Sequence, residues 1–176
     1  LLGGRGITRP GRPSPRWHRM EACGGRHVRV EPVIRSVEPA DVDGIVALWD
    51  EAGMTSYALS GEAAEEITAK LERDPDLFLV AEGDGGVVAA VMGTWDGHRG
   101  RIKRLAVRGD LRRSGLGRRM IEELERRFVK QGITRIRLEV WSHNEDGMAF
   151  WEGLGYTLEP EIRYFVRNLD DSDDPC

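Results

Sequence analysis

Apolar residues in the first part of the chain recur with two different spacings. Residues 33–37 alternate between apolar and polar side chains, which is typical of a β-strand. After Pro39 the apolar side chains recur at three- and four-residue steps, which predicts a helix with one apolar face. The residues on this face are Val42, Ile45, Val46 and Trp49. A loop over residues 54–61 and a second short helix over residues 62–71 are predicted next.

Three short apolar runs in the middle of the chain predict three strands. Residues 77–81 and 87–92 flank a glycine-rich tetrapeptide at residues 83–86, which favours the tight turn of a β-hairpin. Residues 102–107 form the third run. The chain at residues 95–100 is predicted to be a loop between the second and third strands.

The most regular helical spacing in the chain lies at residues 116–131, and it predicts an amphipathic helix. Residues 133–140 then predict a strand. Because a helix connects this strand to the one at residues 102–107, we expect the two strands to be parallel. Ser142 or Asn144 is expected to cap a further helix.

Two last apolar runs, at residues 156–158 and 162–166, are expected to finish the sheet as a hairpin. Strands and helices therefore alternate along the chain, and no internal repeat is visible. This order predicts a mixed α/β or α+β fold with a central sheet.

Length and composition fit one domain. A chain of 176 residues with 40% hydrophobic and 32% charged side chains suits a single core, and no apolar run approaches the roughly 20 residues that cross a bilayer. We expect the domain to span residues 30–170, after a disordered basic leader at residues 1–29 and before an acidic tail at residues 171–176. Cys23 and Cys176 fall in the end segments, so no disulfide or metal site is implied, and the cytoplasm is the expected compartment.

The net charge of −4 hides two basic segments. Seven arginines and one glutamate fall in residues 1–29, which leaves 19 basic and 29 acidic residues in the rest of the chain. Within that acidic remainder, residues 99–137 hold 14 lysines and arginines against four carboxylates. This local density favours a compact polyanionic ligand over an extended nucleic acid.

The basic segment centres on the sequence Arg-Arg-Ser-Gly-Leu-Gly at residues 112–117, which opens a predicted helix. A glycine-rich turn at a helix start exposes unpaired N–H groups at the positive end of the helix dipole, where phosphate binds readily. The same residues also fit a plain tight turn with solvated arginines. Two nucleotide motifs are excluded, because no lysine precedes Ser or Thr and Met120 replaces the third glycine of a dinucleotide fingerprint.

Two signatures in this order resemble the Gcn5-related N-acetyltransferases over about residues 33–168. The pattern Arg-x-x-Gly-x-Gly at residues 112–117 is similar to the pyrophosphate loop of that family. Asn144, followed by Trp151 and then by glycine and Tyr156, is similar to its second signature. The resemblance implies a mostly antiparallel central sheet with one parallel strand pair, flanked by helices. It also implies acetyl-CoA as co-substrate, and no metal.

In that family the strand before the glycine turn binds the pantetheine arm of the donor, and the turn with its helix start binds the pyrophosphate. The asparagine and the aromatic residue of the second signature complete the donor site. Carried over to this chain, the cofactor-binding residues are Leu105, Ala106, Val107, Arg112, Arg113, Ser114, Gly115, Leu116, Gly117, Arg118, Asn144 and Trp151.

The resemblance also indicates a general base. The family often has an acidic residue in the strand before the turn, but Lys103 and Arg104 occupy those positions and exclude a base there. Glu139 is similar to the catalytic glutamate of the branch that acetylates protein N-termini, and a carboxylate there takes the ammonium proton directly or through water. The alternative is an exposed carboxylate that pairs with Arg135 or Arg137.

The general acid is less clearly indicated. Where the family usually has a tyrosine that protonates the thiolate, this chain has Trp151, whose indole N–H donates a hydrogen bond but does not supply a proton. Trp151 is expected either to stabilise the sulfur or to be a core aromatic residue. Tyr156 and Tyr164 are the candidate replacement acids, and a reaction without an acid is the other alternative. His98, in a predicted loop, is more typical of a solvated side chain.

The sequence therefore predicts an N-acetyltransferase that moves the acetyl group of acetyl-CoA to a primary amine by direct transfer. The acceptor is a protein N-terminus, a lysine or a small amine, and the fold does not decide among them. We expect a monomer or homodimer without membrane contact. A non-catalytic module that binds or senses acyl-CoA is the alternative, and a nucleic-acid tether is a further alternative for the basic leader only.

Overall fold

The computed structural model describes residues 31–54, 63–165 and 167. The predicted leader, the acidic tail, both cysteines and most of the predicted loop at residues 54–61 lie outside the described residues. The boundaries expected for the domain therefore stay a prediction.

Five strands among the described residues form one sheet, and their order across the sheet follows their order in the chain. Neighbouring strands are antiparallel except for the last pair, which is parallel. This arrangement confirms the mixed, mostly antiparallel sheet with one parallel pair. The strands are β1 (Val33–Ser36), β2 (Phe78–Gly83), β3 (Gly86–Trp95), β4 (Gly100–Val107) and β5 (Ile136–Arg137).

Four α-helices flank this sheet in the described part of the chain, and none of them is both long and apolar enough to cross a bilayer. One-turn 3₁₀ helices precede the first helix, precede β2 and follow β4, at Pro39–Asp41, Pro75–Leu77 and Gly109–Leu111. The α-helices are α1 (Val42–Glu51), α2 (Ala63–Arg73), α3 (Leu116–Lys130) and α4 (Glu145–Gly153).

The core has two layers, because α1 and α2 cover one face of the sheet and α3 covers the other. On the α3 face, a Cβ at Gly93 would lie 2.8 Å from the Phe128 ring and 2.9 Å from Leu124. Only glycine lets the helix approach the strand this closely. On the opposite face, Trp49 stacks on Phe78 with 6.3 Å between ring centroids.

Strand β4 contains a bulge in its middle. Ala106 of β4 pairs with Ala90 of β3. Three positions earlier in β4, Lys103 pairs with Met92, which is only two positions further along β3. β4 therefore has one extra residue in this stretch. Arg104 lies within it and has a left-handed φ of 53°, which a bulge accommodates and a regular strand does not.

β4 and β5 pair over only two residues and then part. Gly100 and Arg101 pair with the two residues of β5, and the described residues contain no further pairing between these strands. The strand predicted at residues 133–140 is therefore shorter than expected. After Arg101 and up to its end at Val107, β4 pairs with β3 on one edge and with no described strand on the other.

The hairpin predicted at residues 156–158 and 162–166 is wrong for the residues that the structure describes. They contain no strand, and Val166 lies outside the described part. Apolar alternation produces a strand only where a neighbouring strand supplies hydrogen bonds, and the sheet ends at β5. The exposed fractions of Leu158, Ile162 and Phe165 are 67%, 68% and 90%.

Candidate active site

The predicted glycine turn connects β4 to α3, and two of its residues have a left-handed backbone. Gly115, the N-cap of α3, has a φ of 87°, and Arg113 has a φ of 60°. A Cβ at Gly115 would meet no atom within 4 Å, so its conformation rather than crowding favours glycine. Ser114 donates from Oγ to the Leu111 carbonyl at 2.6 Å and accepts from the Leu116 N–H at 3.4 Å. These contacts hold the turn against the start of the helix.

The starts of α3 and α4 differ in how their N–H groups are satisfied. Asn144 caps α4 by accepting from the Gly147 N–H at 2.9 Å, and Glu145 and Asp146 add carboxylates to the first turn. The N-cap of α3 is Gly115, which has no side chain to cap with, and the first turn of α3 has no acidic residue. A helix start of this kind is suited to an external anion.

Arg112 and Arg113 lie at the outer side of this turn. The Nε of Arg112 donates to the carbonyl of Val107, the last residue of β4, at 3.1 Å. The side chain of Arg113 is 90% exposed, and its guanidinium lies 3.9 Å from the equally exposed Asp146. Since such a pair contributes little, Arg113 can turn toward an anion at the α3 start.

Arg118 and Arg119, in the first turn of α3, point in different directions. The Nη2 of Arg118 donates to the Gly153 carbonyl of α4 at 2.9 Å. Arg119 instead contacts Glu31 and donates to the Pro32 carbonyl at 2.9 Å. The sequence groups Arg119 with the other arginines of the turn, but tertiary contacts direct its side chain to the segment before β1.

The end of β4 presents an open backbone edge. The Arg108 N–H donates to the Val88 carbonyl of β3 at 2.9 Å. Since successive residues of a strand point their backbone groups to opposite edges, those of Val107 face the side from which β5 has parted. Val107, and Leu105 two residues earlier, therefore present backbone groups on an edge to which an extended chain with amide groups can add, whereas those of Ala106 face β3.

Helix α4 packs against the start of α3. A Cβ at Gly117 would lie 3.4 Å from the Phe150 ring and 3.7 Å from Val107. Phe150 in turn meets Trp151 edge to face, with 5.1 Å between the ring centroids. Gly117 thus brings α3, α4 and the end of β4 together, and Trp151 packs against the Phe150 ring beside this contact.

Trp151 also meets Tyr156 edge to face, at 5.1 Å between ring centroids. The Tyr156 hydroxyl donates to Glu125 of α3 at 2.6 Å. Burial, followed by this hydrogen bond to a carboxylate, raises the pKa of Tyr156 above its ordinary value. A tyrosine held in this way gives up its proton less readily, and it joins α3 to the segment after α4. Its role as a general acid stays a prediction, and this contact argues against it.

Glu139 follows β5 at the point where β4 and β5 part, and Arg101 of β4 holds its carboxylate. The Nε and Nη2 atoms of Arg101 lie 2.9 Å and 2.7 Å from Glu139 Oε2. Arg135 and Arg137, the partners considered from the sequence, contact other carboxylates instead. The side chain of Glu139 is 44% exposed, so water reaches it.

Tyr164 lies beside the same guanidinium. Burial lowers the pKa of Arg101, but hydrogen bonds to Glu139 and then to Tyr164 outweigh burial and raise it. Tyr164 is 64% exposed. Two of the three predicted catalytic side chains, Glu139 and Tyr164, therefore lie at one arginine where the two strands part.

A group of charged side chains lies on the face of β4 that α1 and α2 cover. The sequence pattern assigned this group no role and was used only to exclude a general base at Lys103 and Arg104. The guanidinium of Arg104 lies 4.7 Å from the centroid of the Trp49 ring, and its Nη2 lies 2.9 Å from Glu66. The signal in the sequence was the presence of three basic residues within residues 101–104, in a strand with buried neighbours.

The loop before β4 is held by Asp96, whose Oδ1 accepts from the backbone N–H of His98 at 2.9 Å and of Arg99 at 2.8 Å. The bonds from Arg99 and His98 lower the pKa of Asp96. Asp96 therefore shapes the loop through its backbone. Among the described residues, no group of three or more His, Cys, Asp or Glu side chains is placed to hold a metal ion.

A cleft of about 360 Å³ lies between α1 and the β2–β3 turn. Arg35 lines it and pairs with Asp41 at 2.6 Å and with Glu82 at 3.0 Å. The hydrogen bond from Arg35 lowers the pKa of Asp41, although burial opposes it. Arg35, Asp41 and Glu82 therefore satisfy one another's charges in this cleft.

Known proteins with similar sequences are acetyltransferases. The sequence model described as the acetyltransferase (GNAT) family matches residues 45–156. An acetyltransferase of Pectobacterium atrosepticum is 34% identical over 138 residues, which cover 78% of this chain and 96% of the relative. An acetyltransferase of Sodalis glossinidius is 33% identical over 136 residues, which cover 77% of this chain and 94% of the relative.

Solved structures share the fold. Ard1 from Thermoplasma volcanium has a TM-score of 0.65 at 24% identity, with 74% of this chain and 85% of that chain covered. The PaiA N-acetyltransferase from Thermoplasma acidophilum, solved in complex with coenzyme A, has a TM-score of 0.65 at 20% identity, with 74% and 92% covered. At these identities the likeness shows the fold alone. The family match and the relatives show more: this chain belongs to the GNAT family of acetyltransferases and is an acyltransferase.

Proposed function

We propose that this protein transfers the acetyl group of acetyl-CoA directly to a primary amine. The observation that carries the proposal is the pairing of an open β4 edge with a helix start that has no side chain at its N-cap. The edge ends at Val107, and the turn at residues 112–117 leads from it to α3. A donor that joins an amide-containing arm to a pyrophosphate matches this order of backbone edge and anion site.

The pantetheine arm of the donor would add along Leu105, Ala106 and Val107 as an extra strand. Its amide groups would form backbone hydrogen bonds where β5 does not pair with β4. The Val107 carbonyl accepts a hydrogen bond from Arg112. Arg112 is therefore expected to release this carbonyl to the donor and to turn toward the pyrophosphate.

The pyrophosphate would lie at the N–H groups from Ser114 to Arg118, where the α3 dipole favours negative charge. Arg113 adds a charge-assisted contact, because its guanidinium is exposed and only loosely paired. Asn144 uses Oδ1 to cap α4 and keeps its amide NH₂ for the donor. Trp151 is proposed to support the sulfur end of the site from behind Phe150.

The chemistry forms an N–C bond and breaks the C–S bond of the thioester. The acceptor arrives as an ammonium ion, and Glu139 takes its proton directly or through a water molecule. The free amine attacks the acetyl carbonyl, and the CoA thiolate leaves with the electron pair of the C–S bond. Tyr164 is the proposed proton source for that thiolate, since it shares Arg101 with Glu139. The nitrogen still carries one extra proton after the attack and releases it through water, and this proton replaces the one that Tyr164 donates.

The proposal is tested by measuring CoA release from acetyl-CoA with a panel of protein N-terminal peptides, lysine peptides and small amines. We expect release that depends on both acetyl-CoA and at least one amine, and stabilisation against heat by acetyl-CoA alone. Stabilisation without release for any amine would favour an acyl-CoA-binding module instead. Failure of acetyl-CoA to bind would overturn the proposal. We propose the cytoplasm as the place of action, where acetyl-CoA and amines are both present.

A further inference from the structure

The face of β4 that is covered by α1 and α2 carries a row of cations. Lys103 pairs across the strands with Met92, which is 3% exposed and belongs to the apolar cluster around Trp49. Residues directly opposite each other in antiparallel strands share a face, so Lys103 faces the α1 and α2 side. Arg101, two residues earlier, shares this face.

The bulge adds a third cation to the row. Arg104 follows Lys103 directly, and in a regular strand it would point to the opposite face. In the bulge its guanidinium lies instead over the Trp49 ring of α1 and beside Glu66 of α2, so both residues face the same side. The side chain of Arg104 is only 10% exposed, which makes this placement well defined.

Two of these three cations form ion pairs with carboxylates. Arg101 pairs with Glu139 at 2.7 Å, and Arg104 pairs with Glu66 at 2.9 Å. In the part of the chain that the structure describes, no ion pair or hydrogen bond holds the ammonium group of Lys103. Lys103 is exposed, but partial desolvation, followed by the charge of Arg101, lowers its pKa. An added anion at this ammonium would offset both effects.

The unmatched ammonium lies close to the proposed chemistry. Lys103 is two residues before Leu105, where the proposed pantetheine edge begins, and a strand rises about 3.3 Å per residue. It also lies within electrostatic range of Glu139, the proposed base. An amine positioned beside Glu139 therefore lies within electrostatic range of the Lys103 ammonium.

We infer that the acceptor amine carries an anionic group, a carboxylate or a phosphate, and that Lys103 binds it. This inference rests on the proposed function and names its substrate class. Lys103 attracts the anion through a charge-assisted hydrogen bond and disfavours acceptors with a second positive charge at that place. Arg101 and Arg104 are committed to Glu139 and Glu66, so Lys103 is the residue that decides the preference.

The test compares matched acceptors that differ in one charge. The pairs are O-phosphoethanolamine with ethanolamine, β-alanine with its amide, and a short peptide with Asp at its second position with the corresponding Asn peptide. Comparing the phosphate pair with the carboxylate pairs shows which of the two anionic groups the site prefers. We expect the anionic member of at least one pair to have a kcat/KM roughly 10- to 100-fold higher, the range expected for one charge-assisted hydrogen bond.

Variants assign the preference to one residue. Lys103→Gln should remove the preference by lowering kcat/KM for the anionic member only, and Lys103→Glu should reverse it. Lys130→Gln, at the exposed end of α3, is the matched control and should change neither member. The Kd for acetyl-CoA and the melting temperature of each variant show that the donor site and the fold are kept.

Three outcomes would overturn the inference, and they distinguish failure of the Lys103 role from failure of the proposed function. Equal kcat/KM for both members of every pair, or a preference that survives Lys103→Gln, overturns the role of Lys103 while CoA release still supports the proposed function. If acetyl-CoA binds and no acceptor of either kind releases CoA, the proposed function fails as well.

Discussion

Arg101 and Glu139 join the two strands at the point where they part. Both nitrogens of Arg101 that contact the carboxylate reach the same atom, Oε2, at 2.9 Å from Nε and 2.7 Å from Nη2. Glu139 lies just after β5, and Arg101 lies in β4. This ion pair therefore bridges the two strands at the proposed acetyl-transfer site. Because Oε2 is engaged, Oε1 is the oxygen that we expect to accept the proton.

Glu139→Gln should lower kcat by roughly 100-fold or more, since a positioned general base contributes about 10²–10⁴-fold. The amide keeps the shape of the side chain but does not accept the proton. Acetyl-CoA binding, measured by calorimetry, should be unchanged. Glu152→Gln, on the exposed side of α4, is the control and should retain full activity. A variant at Glu139 with normal kcat across the pH range would remove this residue from the mechanism.

Arg101→Gln should lower kcat by roughly tenfold, because it removes the contacts that orient Glu139, and each tenfold corresponds to about 1.4 kcal/mol. The double variant with Glu139→Gln should be no slower than Glu139→Gln alone, since both changes act on one unit. Arg101→Lys should restore part of the rate and of the pH profile. Additive losses in the double variant would show that Arg101 acts independently.

Gly115→Ala should weaken acetyl-CoA binding by roughly tenfold and destabilise the protein by about 1–2 kcal/mol, the cost of a left-handed conformation for an L-residue. The reason is its φ of 87° at the α3 N-cap. Gly132→Ala is the matched control, with a φ of 78° at the other end of α3 and equally open surroundings. It should lose similar stability and keep its affinity for acetyl-CoA. Equal affinity losses in both variants would contradict a role for the turn in binding.

Gly147→Ala and Gly153→Ala should change the stability of the protein in opposite directions, although both lie in α4. A Cβ at Gly147 would lie 2.6 Å from Asn144 Nδ2, so alanine displaces the side chain that caps the helix. We expect a loss of about 1 kcal/mol, the usual value of an N-cap. A Cβ at Gly153 meets no atom within 4 Å, so alanine should add about 0.5 kcal/mol through helix propensity. Denaturant titration of both variants measures the two signs.

Glu123 should make the protein less stable as the pH falls through the acid range. Hydrogen bonds from Arg126, together with one from Arg127, outweigh burial and lower the pKa of Glu123 from 4.5 to about 2. The unfolded chain takes up this proton near pH 4.5 and the folded chain only near pH 2, so the contribution is complete above pH 4.5 and is lost as the pH falls toward 2. With solvent screening of exposed Arg126, we expect roughly 1–2 kcal/mol.

Glu123→Gln should therefore lower the free energy of unfolding at pH 7 and flatten its decline between pH 5 and pH 3, as measured by urea titration at each pH. Glu122→Gln is the control, because Glu122 lies 57% exposed on the same helix and 4.0 Å from Arg118. It should leave the pH dependence as it is in the natural chain. Parallel curves for the natural chain and Glu123→Gln would contradict the assignment.

Most of the fold could be predicted from local pattern. Apolar periodicity and capping residues predicted the five described strands and the four described α-helices but not the one-turn 3₁₀ helices, and the parallel pair followed from the helix that connects β4 to β5. The predicted final hairpin failed because its alternation had no neighbouring strand to pair with. The bulge at Arg104 could not be predicted either, because a bulge depends on the register between β3 and β4 and leaves no periodic signal in the sequence.

The candidate site, too, could be predicted only in part from the sequence. The glycine turn and the Asn144 cap could be predicted because each depends on a few consecutive residues and their backbone angles. The partner of Glu139 could not, since Arg101, Arg135 and Arg137 are all plausible in the sequence. Side chains 38 residues apart meet only through the pairing of β4 with β5.

The sequence by itself determined the order of the elements, the glycine turn at the start of α3 and the asparagine at the start of α4. These features are local, because strand and helix periods and left-handed glycines act over a few residues. The tertiary structure decided which carboxylate meets which arginine and left the ammonium of Lys103 without a partner among the described residues. The physical reason is that ion pairs between distant segments depend on strand register, and one bulge in β4 moves Arg104 onto the face that Lys103 already occupies.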